Sequence, residues 1–422
     1  MKKYTLALVL TLLAAAVMAG PAIDHLQLTT EDRESEFPTI VFNGNDMGVA
    51  WMDGRDGNQE IYFRTANLDN KSRGPERRIT STANWDDRPR LCWTGSEFGL
   101  SWIYESRSKF NLMFATLDYS GSLKKGPTKL VNQAHLGKDT AICWTGSGYG
   151  VISSQYAGGQ VADLVYRFID ANGRVQGDAV TITGGPGVKV PAALLKSGTD
   201  FFVVYLNSDT GNVRILSIDP FGRPRGEARQ LNVAGSECKE PVAVVGKKSM
   251  MVAWSQLTSE GTQVIVAPLD SLGNQSRAPF PLTTPGNARP TVALATGRDG
   301  FGTAWIELSD EGRMLFFQEL NKQGVQVGDP VRLSKPRPVR VMSNELDMAA
   351  DSSGYVIAWV DVAPPMNSEV ILSRVGFAAD AVESAPKAPV PNEISPDETV
   401  PSEGKPQGSE SKGSETKGSE AK

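Results

Sequence analysis

Two histidines, His25 and His135, and three cysteines, Cys92, Cys143 and Cys238, are all the imidazole and thiol that 422 residues contain. A histidine-rich metal centre is therefore not expected, and no other cofactor is implied. There is no GxSxG, HExxH or CxxC, so the usual serine-hydrolase, zinc-protease and redox signatures are missing. The glycines of GSGYG (Gly146, Gly148, Gly150) are not followed by a lysine, as a phosphate-cradling loop would require, and read as a hairpin turn. Excess positive charge is also lacking. The net charge of −5 removes the phosphate neutralisation on which nucleic-acid binding rests.

Both ends differ from the middle. Lys2 and Lys3 precede an apolar stretch from Tyr4 to Gly20 and then small residues, the pattern of a secretory signal peptide over residues 1–22. No later stretch offers about 18 apolar residues in a row, so no transmembrane segment is expected after cleavage. The mature chain is expected in the periplasm or secreted. Residues 381–422 are Pro, Ser, Glu, Lys and Gly, ending in GSESK, GSETK and GSEAK. They cannot bury enough apolar surface to offset ordering and read as a disordered tail, either a solvated terminus or a spacer.

Between the ends lies a repeat. Its copies GVAWMD, GLSWIY, GVISSQ, FVVYLN, MVAWSQ, GTAWIE and VIAWVD centre on Trp51, Trp102, Ser153, Tyr205, Trp254, Trp305 and Trp359, 49 to 54 residues apart. An apolar strand such as PTIVF or PVAVV precedes most copies. A third strand follows, ending at Asp118, Asp170, Asp219, Asp270 or Asn321 with a glycine three residues on, and a short fourth strand closes the unit. Four β-rich segments per repeat, parted by Gly, Asp, Asn and Pro, predict an all-β seven-bladed β-propeller of four-stranded antiparallel blades. The seventh unit lacks its fourth strand. The segment His25–Thr30 aligns with the end of a unit, so the N-terminal strand is expected to complete the last blade within a propeller spanning 23–380. The aromatic centres recur at the blade period and read as packing.

The first unit, DGRDGNQEIYFRTANLDNKSRGPERRITSTANWDDRPRLCWTG, resembles propeller repeats of the TolB type, in which a DGN-x-EIY turn and strand lead to an R-x-[IL]-T strand. WTGSEFG and WTGSGYG replace the usual SPDG turn, and no α/β domain precedes the propeller. The resemblance implies a protein-interaction module.

Function is expected in the loops of one face. The turns after the second strands carry Asp53, Asp56, Glu307 and Asp361; the links between blades carry Trp85, Asp86, Asp87, Arg88, His135, Lys138, Arg337 and Arg340. The set Asp53, Asp56, Asn58, Glu60 suggests a calcium loop, but Asp-Gly and Gly-Asn pairs equally suit a tight hairpin, and no metal site is assigned. Trp85 in NWDDR lies off the blade period, and an aromatic beside arginine suits a binding hot spot. The alternative is a tryptophan folded onto its own blade. Cys92 and Cys143 occupy matching positions and read as buried thiols, with a disulfide as the other option. The leading expectation is a non-catalytic, exported protein-interaction module whose partner is another envelope or extracellular protein. The alternative is a carbohydrate-binding or carbohydrate-active propeller drawing carboxylates from Asp53, Glu307 and Asp361, with polysaccharide stacked on Trp85. The S-x-D-x-G-x-x-W turns of sialidase-type propellers are absent. Carboxylates clustered in one deep central pocket would favour the alternative.

Overall fold

A computed structural model describes residues 22–30, 33–107, 109–134, 136–286, 288–338, 345–363 and 367–377. The proposed signal peptide up to residue 21 and the tail lie outside the described residues.

The strands form seven separate antiparallel sheets. The second blade is typical: Trp85–Trp93, Phe98–Ser106, Lys109–Leu117 and Leu123–Ala134 pair in chain order. Tight 1→2 hairpins join inner to second strands, as where Asn43 N donates to Asp46 O at 3.0 Å and Thr145 N to Gly148 O at 2.8 Å, so GSGYG is a turn. In the first blade the fourth position is split into Ser72–Arg73 and Arg77–Arg78, both paired with Glu60–Asn67.

Ring closure follows the sequence expectation. Ile23–Gln27 pairs antiparallel with Asn367–Gly376, setting His25 opposite Ser373. The seventh sheet is thus completed by the N-terminal strand beside Leu346–Ala350, Gly354–Ala363 and Asn367–Gly376. The edge strand is fastened from two sides. Ser373 Oγ lies 2.8 Å from both Trp359 Nε1 and His25 Nδ1; since the indole can only donate, the hydroxyl is free to donate to a neutral imidazole. Burial lowers the His25 pKa, which keeps that ring neutral. From the first blade, Arg64 and Arg73 donate to the carbonyls of Leu28 and Gln27 at 2.7 and 2.9 Å.

The core lies between blades. Trp51, Trp102, Trp254, Trp305 and Trp359 are all buried, and the apolar clusters join neighbouring sheets: Trp102 shares one with Ala50, Ile61 and Phe63 of the first blade, and Trp254 one with Phe202, Val204 and Ile215 of the fourth. The period of the aromatics thus reflects one inter-blade wedge per repeat.

The five Asp/Asn-x-x-Gly turns are a second fastening. In each, the Oδ1 of Asp118, Asp170, Asp219, Asp270 or Asn321 accepts backbone N–H groups two and four residues on, at 2.8–3.0 Å. The glycine permits a positive φ and a close approach to the preceding blade. At Gly222, with φ of 86°, a Cβ would stand 2.3 Å from Cδ1 of Tyr166. The first blade lacks this turn. There Arg374 of the seventh blade pairs with both Asp351 and Asp69, so the seam is held by charge where other junctions use a glycine contact.

Candidate functional site

Several inner strands shift register near their starts, and three of these shifts share one local pattern. The ladder slips between Glu36 and Thr39, between Asp87 and Arg90, and between Lys239 and Val242. Each slip falls at a residue followed by proline: Phe37-Pro38, Arg88-Pro89 and Glu240-Pro241. Proline has no N–H for the ladder and bars the preceding residue from helical backbone. Phe37, Arg88 and Glu240 take positive φ values of 52°, 52° and 43°, a region uncommon for residues with a Cβ and costing on the order of 1–3 kcal/mol each. A bulge re-aims a side chain, and here it delivers Arg88 and Glu240 to the axis.

The inner strands enclose an axial cavity of about 490 Å3 lined by residues from all seven blades. Much of its wall is aliphatic, including Val190, Ala192, Val242 and Val244. Charge gathers where the inner strands begin. Arg88 Nη1 lies 3.0 Å from Asp139 Oδ1 and its Nε 3.7 Å from Asp87 Oδ2, and its guanidinium stands 5.0 Å from the Phe37 ring centroid. Glu240 Oε2 lies 3.5 Å from Thr291 Oγ1. Burial pushes the Glu240 carboxyl up to about 7; the charges of Asp139 and Glu345 add to the rise, and Arg88 opposes it. Across the axis, burial also raises Asp347, whose Oδ2 accepts Ile40 N at 2.9 Å and which feels the charge of Arg90.

Of the described residues singled out by sequence, Arg88 alone lines this cavity. The carboxylates Asp53, Glu307 and Asp361 do not meet there. Asp53 is fully buried and accepts from Ser35 Oγ at 3.0 Å, Trp51 Nε1 at 2.9 Å and Arg55 Nη2 at 2.6 Å. Burial would raise its pKa, but the hydrogen bonds from Arg55 and Trp51 outweigh it and hold it below the usual value. Glu307 accepts from Trp305 Nε1 at 2.8 Å. Asp361 lies 2.8 Å from Arg337 Nε. Asp56 accepts from the Tyr62 hydroxyl and lies 3.0 Å from Arg78 Nη1. The segment DGRDGNQE is thus a turn tied into its own blade, with Gly57 N donating to Gly54 O at 3.1 Å. Trp85 does not fold onto its blade; it is 52% exposed at the start of the strand that bears Arg88. Asp87 is half-buried beside Arg88. His135 and Arg340 lie outside the described residues, as does the side chain of Lys138.

Several of the acidic residues therefore serve tryptophans. A buried indole N–H needs an acceptor, and residues two apart share one face of a strand. Trp51-x-Asp53 and Trp305-x-Glu307 satisfy this locally, and Trp102 Nε1 donates to Asp86 at 2.6 Å. Sequence reasoning missed Asp139 and Glu240. A signal was available in the residue-proline pair that opens the inner strands. All three cysteines are buried free thiols. Among the described residues, no group of three or more His, Cys, Asp or Glu could hold a metal ion.

The fold and cavity define a seven-bladed propeller with a charged axial mouth. The chain matches no protein-family model, the TolB type included, and no curated protein. Among solved structures it is similar to an ulvan lyase described as a new family of polysaccharide lyase, at TM-score 0.50 and 12% identity, covering 87% of this chain and 100% of that one. It is also similar to the endosialidase of phage phi92, at TM-score 0.50 and 10% identity, covering 90% of this chain and 72% of that one. At such identities the likeness is one of fold.

Proposed function

We propose that this propeller is exported and binds a glycan at the mouth of its axial cavity. The observation that carries the reading is the pair of bulged, left-handed residues, Arg88 and Glu240, which bring a guanidinium and a carboxyl to one cavity from the second and fifth blades. Backbone strain of this kind persists where surrounding structure over-determines it and clusters at functional sites. An arginine–carboxylate pair beside a protonated carboxyl offers both donors and acceptors, as sugar hydroxyls require. The exposed indole of Trp85, on the same face, supplies a flat apolar surface for a sugar ring. The ulvan lyase and the endosialidase bear names of polysaccharide-acting proteins, which supports a glycan as the ligand class.

The exposure of Trp85 also favours a second reading, the protein-interaction module, because aromatic anchors dominate protein interfaces. One experiment separates the two. Full-length protein is passed over immobilised envelope and extracellular polysaccharides, and in parallel crosslinked in an envelope extract. Retention on a polysaccharide, weakened by Arg88→Ala and by Trp85→Ala, is the expected result. A defined protein partner lost in both variants, with no polysaccharide retained, would select the interaction module.

A further inference from the structure

The cavity mouth holds two carboxyl groups with different partners, and this deepens the glycan reading, on which it rests. Asp139 stands against a guanidinium, with Arg88 Nη1 at 3.0 Å. Glu240 faces the cavity from a left-handed bulge, touched by a neutral hydroxyl, Thr291 Oγ1, at 3.5 Å. Neither carboxyl closes a blade or caps a tryptophan, as Asp53, Asp86 and Glu307 do. We propose that the mouth is a glycoside-hydrolysing site in which Glu240 is the proton donor and Asp139 the base.

The electrostatics agree with this division. The groups acting on Glu240 are Asp139 and Glu345, which favour its protonated form, and Arg88, which opposes them; burial is the largest influence, and the carboxyl titrates at about 7. An acid must hold its proton at working pH, and the burial of Glu240 meets that condition.

The step balances as a single displacement. Glu240 gives its proton to the glycosidic oxygen while the bond from that oxygen to the anomeric carbon breaks. A water oxygen bonds to the same carbon and gives its proton to Asp139. One water is consumed, two free hydroxyls form, and solvent returns a proton from Asp139 to Glu240. No oxidant or further reactant is needed.

The test takes the full-length chain and a polysaccharide that it retains. Release of reducing ends is measured for the wild type, Glu240→Gln and Asp139→Asn, with the melting temperature and retention of each variant recorded. The expected result is release by the wild type that declines as pH rises through about 7. Each variant should lose about 10²–10⁴-fold in rate, a loss larger than any change in its retention, while still melting cooperatively. Retention without release overturns hydrolysis and leaves glycan binding standing. Unsaturated sugar products overturn it in favour of elimination. Undiminished release by Glu240→Gln overturns the assignment of the acid. Failure to retain any polysaccharide removes the binding reading and this inference together.

Discussion

Nη1 of Arg88 lies 3.0 Å from Oδ1 of Asp139, joining the inner strands of the second and third blades at the axis. The two residues are separated by about one repeat in sequence, and no local motif joins them. The ion pair sits partly open to the cavity, with side-chain exposures of 17% and 31%, so its screened charge is available to a ligand as well as to the fold. Arg88→Ala should therefore lower affinity for a retained polysaccharide by about tenfold or more, while moving the melting temperature little, since partly exposed pairs contribute about 0–1 kcal/mol. Titration and melting of the same variant check it; a large fall in stability with unchanged affinity would make the pair structural.

The tryptophans make a graded series. Trp305→Ala should cost about 3–5 kcal/mol by denaturant unfolding, the usual loss for a buried large side chain. Tryptophan-to-phenylalanine changes should divide by acceptor. Trp102→Phe strips a donor from buried Asp86 and should cost about 1–3 kcal/mol beyond the packing change. At Trp254 the indole N–H has no partner among the described residues, so Trp254→Phe should be the milder of the two.

Ring closure has its own readout. Removing His25–Thr30 takes away most of the strand that pairs with Asn367–Gly376 and exposes the edge of the seventh blade. The melting temperature should drop sharply, with a tendency to self-associate through that open edge. An unchanged melt and a monomeric elution profile would exclude the strand as the seal.

Stability should fall as pH rises from about 4 towards neutrality. Burial raises Asp86 to about 6 and Glu240 to about 7, above ordinary carboxyl values of 3.8 and 4.5. Between the ordinary and the raised value the folded state binds more protons than the unfolded one, so stability declines with pH through that window. His25, lowered from 6.5, acts in the opposite sense below that value. Melting curves of wild type, Asp86→Asn and Glu240→Gln from about pH 4 to pH 8 isolate the two carboxyls. Each variant should flatten the decline, Asp86→Asn in the lower part of the range and Glu240→Gln up to neutrality.

Two glycines separate backbone strain from contact. Gly177 has a φ of 69° with open space where a Cβ would stand, whereas Gly222 has a φ of 86° and would set a Cβ against Tyr166. Gly177→Ala should cost about 1–2 kcal/mol, the penalty of left-handed backbone. Gly222→Ala should cost more, because the turn must also lift from the third blade. Equal losses in chemical denaturation would mean that the turn does not bear on its neighbour.

Much of the architecture was legible in the chain. A repeat of about 51 residues, an aromatic wedge in most units and a turn with Asp or Asn three residues before Gly are each local patterns, and local patterns survive in one dimension. Even the closure was readable, because His25–Thr30 resembles the end of a unit and the last unit lacks one. Among the described residues, the site was legible only at Arg88. The acidic residues near the repeat tryptophans looked like a free face, but they lie two positions along the strand from buried indoles and are consumed by them, as Asp53 and Glu307 show. What tertiary structure alone decided is the meeting of Arg88, Asp139 and Glu240. Closing seven sheets into a ring brings the starts of distant inner strands to one axis, and bulges before proline turn two of those side chains inward. Residues gathered by rotation about an axis leave no spacing in sequence beyond the repeat itself, so their chemistry appears only once the ring is closed.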